Sequence, residues 1–251
     1  MKFFRVLYAV YAIVFFAVFL LVLTPFIIIA SFFGKIRGGT AIYRICSYWS
    51  DAWFFLIGIR SPIIYEAPHN PGKQYIFVSN HSSYLDAPMI VNAIRQPVRA
   101  LGKVEMAKIP VFGFLYRNTV VMVDRESAAN RAKSVITLKS VLKNGISIII
   151  FPEGTFNTTE ANVKTFYDGA FRIAIETQTP IKPVLFPDCI ARLHYDSPFS
   201  FNPGKCRAVF MDEISVEGLT LADTKPLKEK VYHLMEEALG RYRNSAGFST
   251  Q

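Results

Sequence analysis

The stretch QYIFVSNHSSYLDAP, Gln74–Pro88, decides the fold class. Gln74–Ser79 is β-branched and aromatic and runs into a cluster of turn formers, which reads as a buried strand. A polar turn follows, and beyond it a helix begins. Strand, turn and helix in that order form the repeating unit of an α/β sheet, whose ligands gather at strand carboxyl ends.

Further along the chain, Thr119–Val123 (TVVMV), Ile146–Phe151 (ISIIIF) and Ile181–Phe186 (IKPVLF) read as further strands. Ser127–Lys143 reads as a helix, with Ala128, Ala132, Val135, Leu138 and Leu142 at steps of three and four. Leu227–Leu239 repeats that spacing with Leu227, Val231, Leu234 and Ala238, and Gly169–Thr177 reads as a shorter helix. The alternation predicts an α/β domain with helices packed on a largely buried sheet. No internal repeat or low-complexity linker interrupts it.

The chain is 51% hydrophobic and only 19% charged, and the imbalance sits at one end. From Phe3 to Ala30 only Arg5 is charged. The run Val6–Ala30, VLYAVYAIVFFAVFLLVLTPFIIIA, is longer and bulkier than a secretory signal core. It reads as a retained membrane element, since spanning the hydrocarbon takes roughly 20 residues. Pro25 is expected to kink it. A second stretch, Ile42–Ile59, carries Trp49, Trp53 and Phe54, aromatic residues suited to a membrane interface. Two topologies fit: a span followed by an interfacial helix, or a helical pair dipping into one leaflet. Lys35, Arg37, Arg44 and Arg60 follow the first stretch and place the remaining chain on the cytoplasmic side of the cell (inner) membrane. Residues 1–60 are thus expected to anchor a domain spanning 61–251.

The net charge of +9 calls for an anionic partner. No nucleic-acid motif is present, so the anionic membrane surface is favoured. Cys46, Cys189 and Cys206 share no close spacing, which argues against a disulfide framework and fits a reducing compartment.

His81 lies where the strand Gln74–Ser79 gives way to the helix, and Asp86 follows five positions later. Within one regular helix that offset is about 140°, so the two side chains would diverge. They meet only if His81 precedes the helix and Asp86 occupies its first turn, with Ser82 or Ser83 as N-cap. A carboxylate on one ring nitrogen fixes the tautomer and leaves the other free to accept a proton, which is a general base. The plainer reading is an N-capped helix beside an incidental histidine. Lys103 and Arg125 each adjoin a strand-like run and suit a phosphate, although either alone reads as a solvated surface charge. FPEGT, Phe151–Thr155, again puts polar groups at a strand's end, with Gly154 allowing close backbone approach to a ligand; in isolation it is an ordinary turn. There is no G-x-S-x-G elbow, no G-x-G-x-x-G and no His/Cys cluster, so no serine hydrolase, dinucleotide, metal or other cofactor is implied. His69, His194 and His233 have no patterned neighbours.

Taken in order, these elements resemble the glycerolipid acyltransferase family, in particular its 1-acylglycerol-3-phosphate acyltransferases, over roughly Pro62–Pro187. NHSSYLD looks like that family's catalytic block. Lys103-Val104-Glu105 with Pro110 and Gly113, then Val123-Asp124-Arg125, FPEGT, and Pro183-Val184 look like the blocks that follow. The resemblance implies a mixed α/β sheet flanked by helices behind a membrane-embedded amino terminus. It implies direct transfer of a fatty acyl group from acyl-carrier protein or coenzyme A to the sn-2 hydroxyl of 1-acylglycerol-3-phosphate, giving phosphatidic acid. His81 would be the base and Asp86 its orienting partner. Glu153 and Gly154 would lie at the acceptor and Lys103 at its phosphate, with Glu105, Arg125 and Thr155 also binding substrate.

Two positions depart from the pattern. The arginine usual after EGT is Phe156, and a lysine common near Phe166 is Tyr167. Arg125, Lys164 or Arg172 could compensate. Otherwise the acceptor is another lysolipid without the phosphate monoester, such as an acylated amino acid. A catalytically silent lipid-binding protein is a third reading, against which the intact His81 and Asp86 count.

Overall fold

Helices and short strands alternate as the periodicities predict. The computed structural model describes residues 2–123 and 127–244. In chain order it forms α1 (Lys2–Ser31), a π-helical turn (Gly34–Gly38), α2 (Gly39–Leu56), β1 (Ile59–Arg60), β2 (Ile63–Tyr65) and β3 (Ile76–Val78). Then come α3 (Asp86–Ala93), β4 (Val98–Lys103), a 3₁₀ turn (Val104–Lys108), α4 (Phe112–Thr119), β5 (Val120–Val123), α5 (Ala128–Lys143) and β6 (Ser147–Ile150). The chain closes with α6 (Gly169–Thr177), β7 (Ile181–Leu185), α7 (Cys189–Arg192), β8 (Gly204–Lys205), β9 (Ala208–Phe210) and α8 (Thr224–Asn244).

Seven strands form one sheet in the order β2-β9-β7-β3-β6-β4-β5. The strands β7, β3, β6, β4 and β5 run parallel to one another. Because β9 is antiparallel to β7 and parallel to β2, the sheet is mixed. Period-2 alternation divides its residues between two cores. Ile76, Val78, Ile148, Ile150, Ile181 and Leu185 pack with α5, α6 and α8. Tyr75, Phe77, Ile149, Val184 and Phe186 pack with α2 and α3. Burying each such aliphatic side chain contributes about 1.5–3 kcal/mol. Parallel strands also bring their carboxyl ends to one edge, where His81, Lys103 and the FPEGT turn emerge.

The structure corrects three local expectations. The strand opens at Ile76 rather than Gln74, whose side-chain amide instead donates to the carbonyls of Leu142 (2.6 Å) and Ile146 (3.0 Å). Thr119 ends α4 instead of opening β5. The sequence of β4, VRALGK, did not read as a strand because Arg99, Gly102 and Lys103 interrupt its apolar pattern. Arg99 is nevertheless buried, and it donates to the carbonyls of Lys35 and Ile36 at the tip of the α1–α2 hairpin.

The hairpin is held by aromatic packing. Trp49 and Trp53 stack at 5.5 Å, Phe16 meets both edge-on, and Trp53 Nε1 donates to the Ala12 carbonyl at 3.0 Å. α1 continues unbroken through Pro25. Its Phe3–Ser31 portion is long and apolar enough to cross a membrane, and most of its large side chains are exposed, Leu21 by 60%.

Candidate active site

The site begins with the end of β3. Asn80, in the turn, joins it to the end of β7: its Oδ1 accepts from the Phe186 amide (2.8 Å) and its Nδ2 donates to the Phe186 carbonyl (3.1 Å). That fixes where His81 leaves the sheet. The backbone of His81 is then held on both sides, its N–H donating to Glu153 Oε1 (2.7 Å) and its carbonyl accepting from the Asn157 amide (2.7 Å).

His81 Nδ1 lies 2.9 Å from Asp86 Oδ2, the meeting that the five-residue offset allowed only across a helix start. Asp86 is fully buried, and the same oxygen accepts from the amides of Ser82 (2.8 Å) and Ser83 (2.9 Å). The expected serine N-cap is therefore not formed. α3 starts at Asp86 itself, with Leu85 before it and no side-chain cap. The carboxylate in the first turn reaches back to the turn's amides and replaces the cap. Ser83 Oγ instead accepts from the Leu85 amide and donates to the Leu193 carbonyl at 2.6 Å. With the carboxylate accepting at Nδ1, Nδ1 carries the proton and Nε2 presents its lone pair. The imidazole side is about one quarter exposed, at 24%.

The turn after β6 supplies the second wall. Glu153, expected at an acceptor, is buried with both oxygens on backbone amides: Oε1 on His81 and Oε2 on Lys164 (2.8 Å). Burial pushes its carboxyl up to about 7, while the two amide donors pull the other way. Gly154 adopts φ +74°, a left-handed conformation that favours glycine, and its amide closes the turn onto the Phe151 carbonyl. Thr155 is exposed and its hydroxyl accepts from Lys164 Nζ at 3.1 Å.

Lys103 and Glu105 lie farther along the same edge, exposed and paired with each other at 3.7 Å. Extending the β3–β6–β4 register puts Lys103 level with Pro152 and two strands from His81, about 10 Å away across the sheet. Arg125 lies outside the described residues. Tyr167 and Arg172 are exposed. The structure thus brings His81, Asp86, Glu153, Gly154 and Thr155 together directly, with Lys103 and Glu105 at the periphery.

The sequence marked Phe156 only as a missing arginine, and it gave Phe151, Cys189 and Cys206 no role at the site. The ring of Phe151 stacks on the His81 imidazole at 4.0 Å, and Phe156 meets it at 4.4 Å. Cys189 and Cys206 lie buried with sulfurs 3.5 Å apart. Burial first, then Cys206 and Asp86, hold the Cys189 thiol well above its usual range. Among the described residues no group of three His, Cys, Asp or Glu side chains is placed to hold a metal.

An imidazole oriented by a carboxylate at the carboxyl edge of a sheet can take a proton from a hydroxyl. Residues 63–186 match the family model described as Acyltransferase. The chain is 28% identical over 200 residues to a 1-acyl-sn-glycerol-3-phosphate acyltransferase of Haemophilus influenzae, covering 78% of this chain and 80% of that one. It is 27% identical over 184 residues to the mouse 1-acyl-sn-glycerol-3-phosphate acyltransferase alpha, covering 72% of this chain and 64% of that one. The crystal structure of the 1-acyl-sn-glycerophosphate acyltransferase of Thermotoga maritima has the same fold, with a TM-score of 0.78 at 21% identity over 97% of this chain and 98% of that one. The segment that matches the Acyltransferase family model, residues 63–186, is built around the His81–Asp86 turn.

Proposed function

We propose that the protein transfers a fatty acyl group from a thioester to the sn-2 hydroxyl of 1-acylglycerol-3-phosphate, giving phosphatidic acid. The observation that carries this is the 2.9 Å contact of His81 Nδ1 with a buried Asp86, on a histidine whose side chain remains 24% exposed. The names of the relatives supply the acceptor. The donor is acyl-carrier protein or coenzyme A carrying the chain.

His81 acts as general base. The acceptor hydroxyl gives its proton to Nε2 as its oxygen attacks the thioester carbonyl carbon. The tetrahedral adduct then expels the thiolate as the carbon–sulfur bond breaks, and the thiolate takes the proton from the imidazolium. No acyl-enzyme forms. Asp86 holds the tautomer and stabilises the imidazolium, and proton transfer of this kind supplies about 10²–10⁴ in rate. Glu153 supports the site from behind, through the His81 amide. Lys103, Glu105, Gly154 and Thr155 are assigned to the acceptor, with Lys103 and, from its place in the sequence alone, Arg125 as the partners for its phosphate.

Residues 1–60 anchor the protein to the membrane, and 61–251 form the acyltransferase domain on the cytoplasmic side. Support comes from the exposed apolar surface of α1 and from the cations Lys35, Arg37 and Arg44 at and beyond its carboxyl end.

A second acceptor class is favoured by one observation: an uncharged Phe156 packs against His81. Labelled acyl thioester offered with lysophosphatidate, zwitterionic lysophospholipids and an acylated amino acid separates the readings. Acylation of lysophosphatidate is the expected result. Robust activity on an uncharged or zwitterionic lysolipid, with none on lysophosphatidate, would overturn it.

A further inference from the structure

The His81 ring is enclosed by aromatic carbon on more than one side. Phe151 stacks on it nearly parallel, 4.0 Å between centroids and 15° between planes. Phe156 meets it from a second direction at 4.4 Å and 63°. Phe156 is itself braced, by Tyr84 edge-on at 4.8 Å and by Tyr195 at 6.3 Å. The segment carrying both phenylalanines also grips the His81 backbone, through Glu153 on its N–H and Asn157 on its carbonyl.

We infer that Phe156 is a positioning residue for His81, holding the imidazole so that Nδ1 stays on Asp86 and only the Nε2 edge meets substrate. The inference rests on the reading of His81 as the base. The physical reason lies in the torsion that sets the ring plane. That torsion is broad, and the single side-chain hydrogen bond from Nδ1 leaves the ring free to pivot about it. Aromatic contacts on two sides remove that freedom. They also place π-electron density beside the ring that becomes cationic during transfer. Phe151 and Phe156 divide the task. Phe151 follows directly from buried β6 and is fixed by the sheet, whereas Phe156 stands on the far side of the Gly154 turn and depends on Tyr84 and Tyr195 to stay in place.

The test compares Phe156→Tyr, which keeps the ring, with Phe156→Leu, which keeps much of the volume without it. Phe156 is half-buried at the rim, so both variants should unfold within a few degrees of the parent. Phe156→Tyr should retain kcat within about threefold. Phe156→Leu should lose roughly 10- to 100-fold in kcat, with KM for donor and acceptor little changed, as expected for a misplaced base. Equal kcat in the two variants, or a loss in KM alone, would overturn the positioning role. His81→Ala measured beside them keeps the two ideas apart. If His81→Ala is inactive while Phe156→Leu matches the parent, only the positioning role falls. If His81→Ala stays active, the base itself has been misassigned.

Discussion

The carboxyl edge of the sheet and the α1–α2 hairpin invert the ordinary rule of burial in opposite ways. At the edge, carboxyl groups are buried: Asp86 and Glu153 are 0% and 1% exposed. Asp86 holds the Ser82 and Ser83 amides and the His81 ring on one oxygen, and Glu153 places each oxygen on a backbone amide. On α1, large apolar groups are exposed along most of the helix. Buried carboxyls are tolerated where hydrogen bonds offset their desolvation, and here those bonds tie both groups to the backbone of the His81 turn. Exposed apolar surface of that extent is what the proposed membrane placement of α1 requires. The first inversion points to chemistry and the second to location, and the two should be separable by mutation.

The largest expected effect belongs to the edge. His81→Ala should lower kcat/KM by at least about 10²–10⁴-fold, with Asp86→Asn nearly as severe because an amide can hold the wrong tautomer. Sedimentation of either variant with membranes should match the parent. A His81→Ala protein that left the membrane would show that the regions are coupled. Next comes the converse change in the hairpin. Leu21→Lys puts a cation on the exposed apolar face and should cost roughly 2.5–3.5 kcal/mol of insertion. More protein should appear in the soluble fraction, while turnover in detergent with soluble short-chain substrates should stay unchanged. A matching loss of turnover would join site and anchor.

The smallest effect concerns Glu153 and sharpens the claim that the edge carries a buried carboxyl. Its folded-state value is raised from 4.5 to about 7, chiefly by burial. A raised value favours the protonated form in the fold. Its contribution to stability is therefore fully present below 4.5 and is lost as pH rises through 7. The unfolding temperature of the parent should decline across that window more steeply than that of Glu153→Gln, which cannot titrate. Parallel curves would show that Glu153 does not titrate there. Glu153→Gln should itself be destabilised by about 1–3 kcal/mol at low pH, since its amide NH₂ faces a backbone donor.

Much of this was legible in the residues. The β-branched runs identified β3, β5, β6 and β7, and the offset of His81 from Asp86 required a helix start between strand and carboxylate. The strand β4 was hidden because Arg99, a charged residue inside it, is satisfied by carbonyls from the hairpin, 63 and 64 residues earlier in the chain. The direction of Glu153 was hidden for a similar reason. FPEGT shows an acid beside a flexible glycine, yet the amides that capture the acid belong to His81 and Lys164.

Local chemistry alone therefore determined the α/β class and the apolar first helix and made the pairing of His81 with Asp86 one of two readings, since periodicity and turn preference act over a few residues. Tertiary structure decided which way Glu153 points, that Phe151 and Phe156 enclose the imidazole, and that Lys103 stands two strands from it. Those contacts join segments dozens of residues apart, and only the order of strands in the folded sheet brings them within a few ångströms.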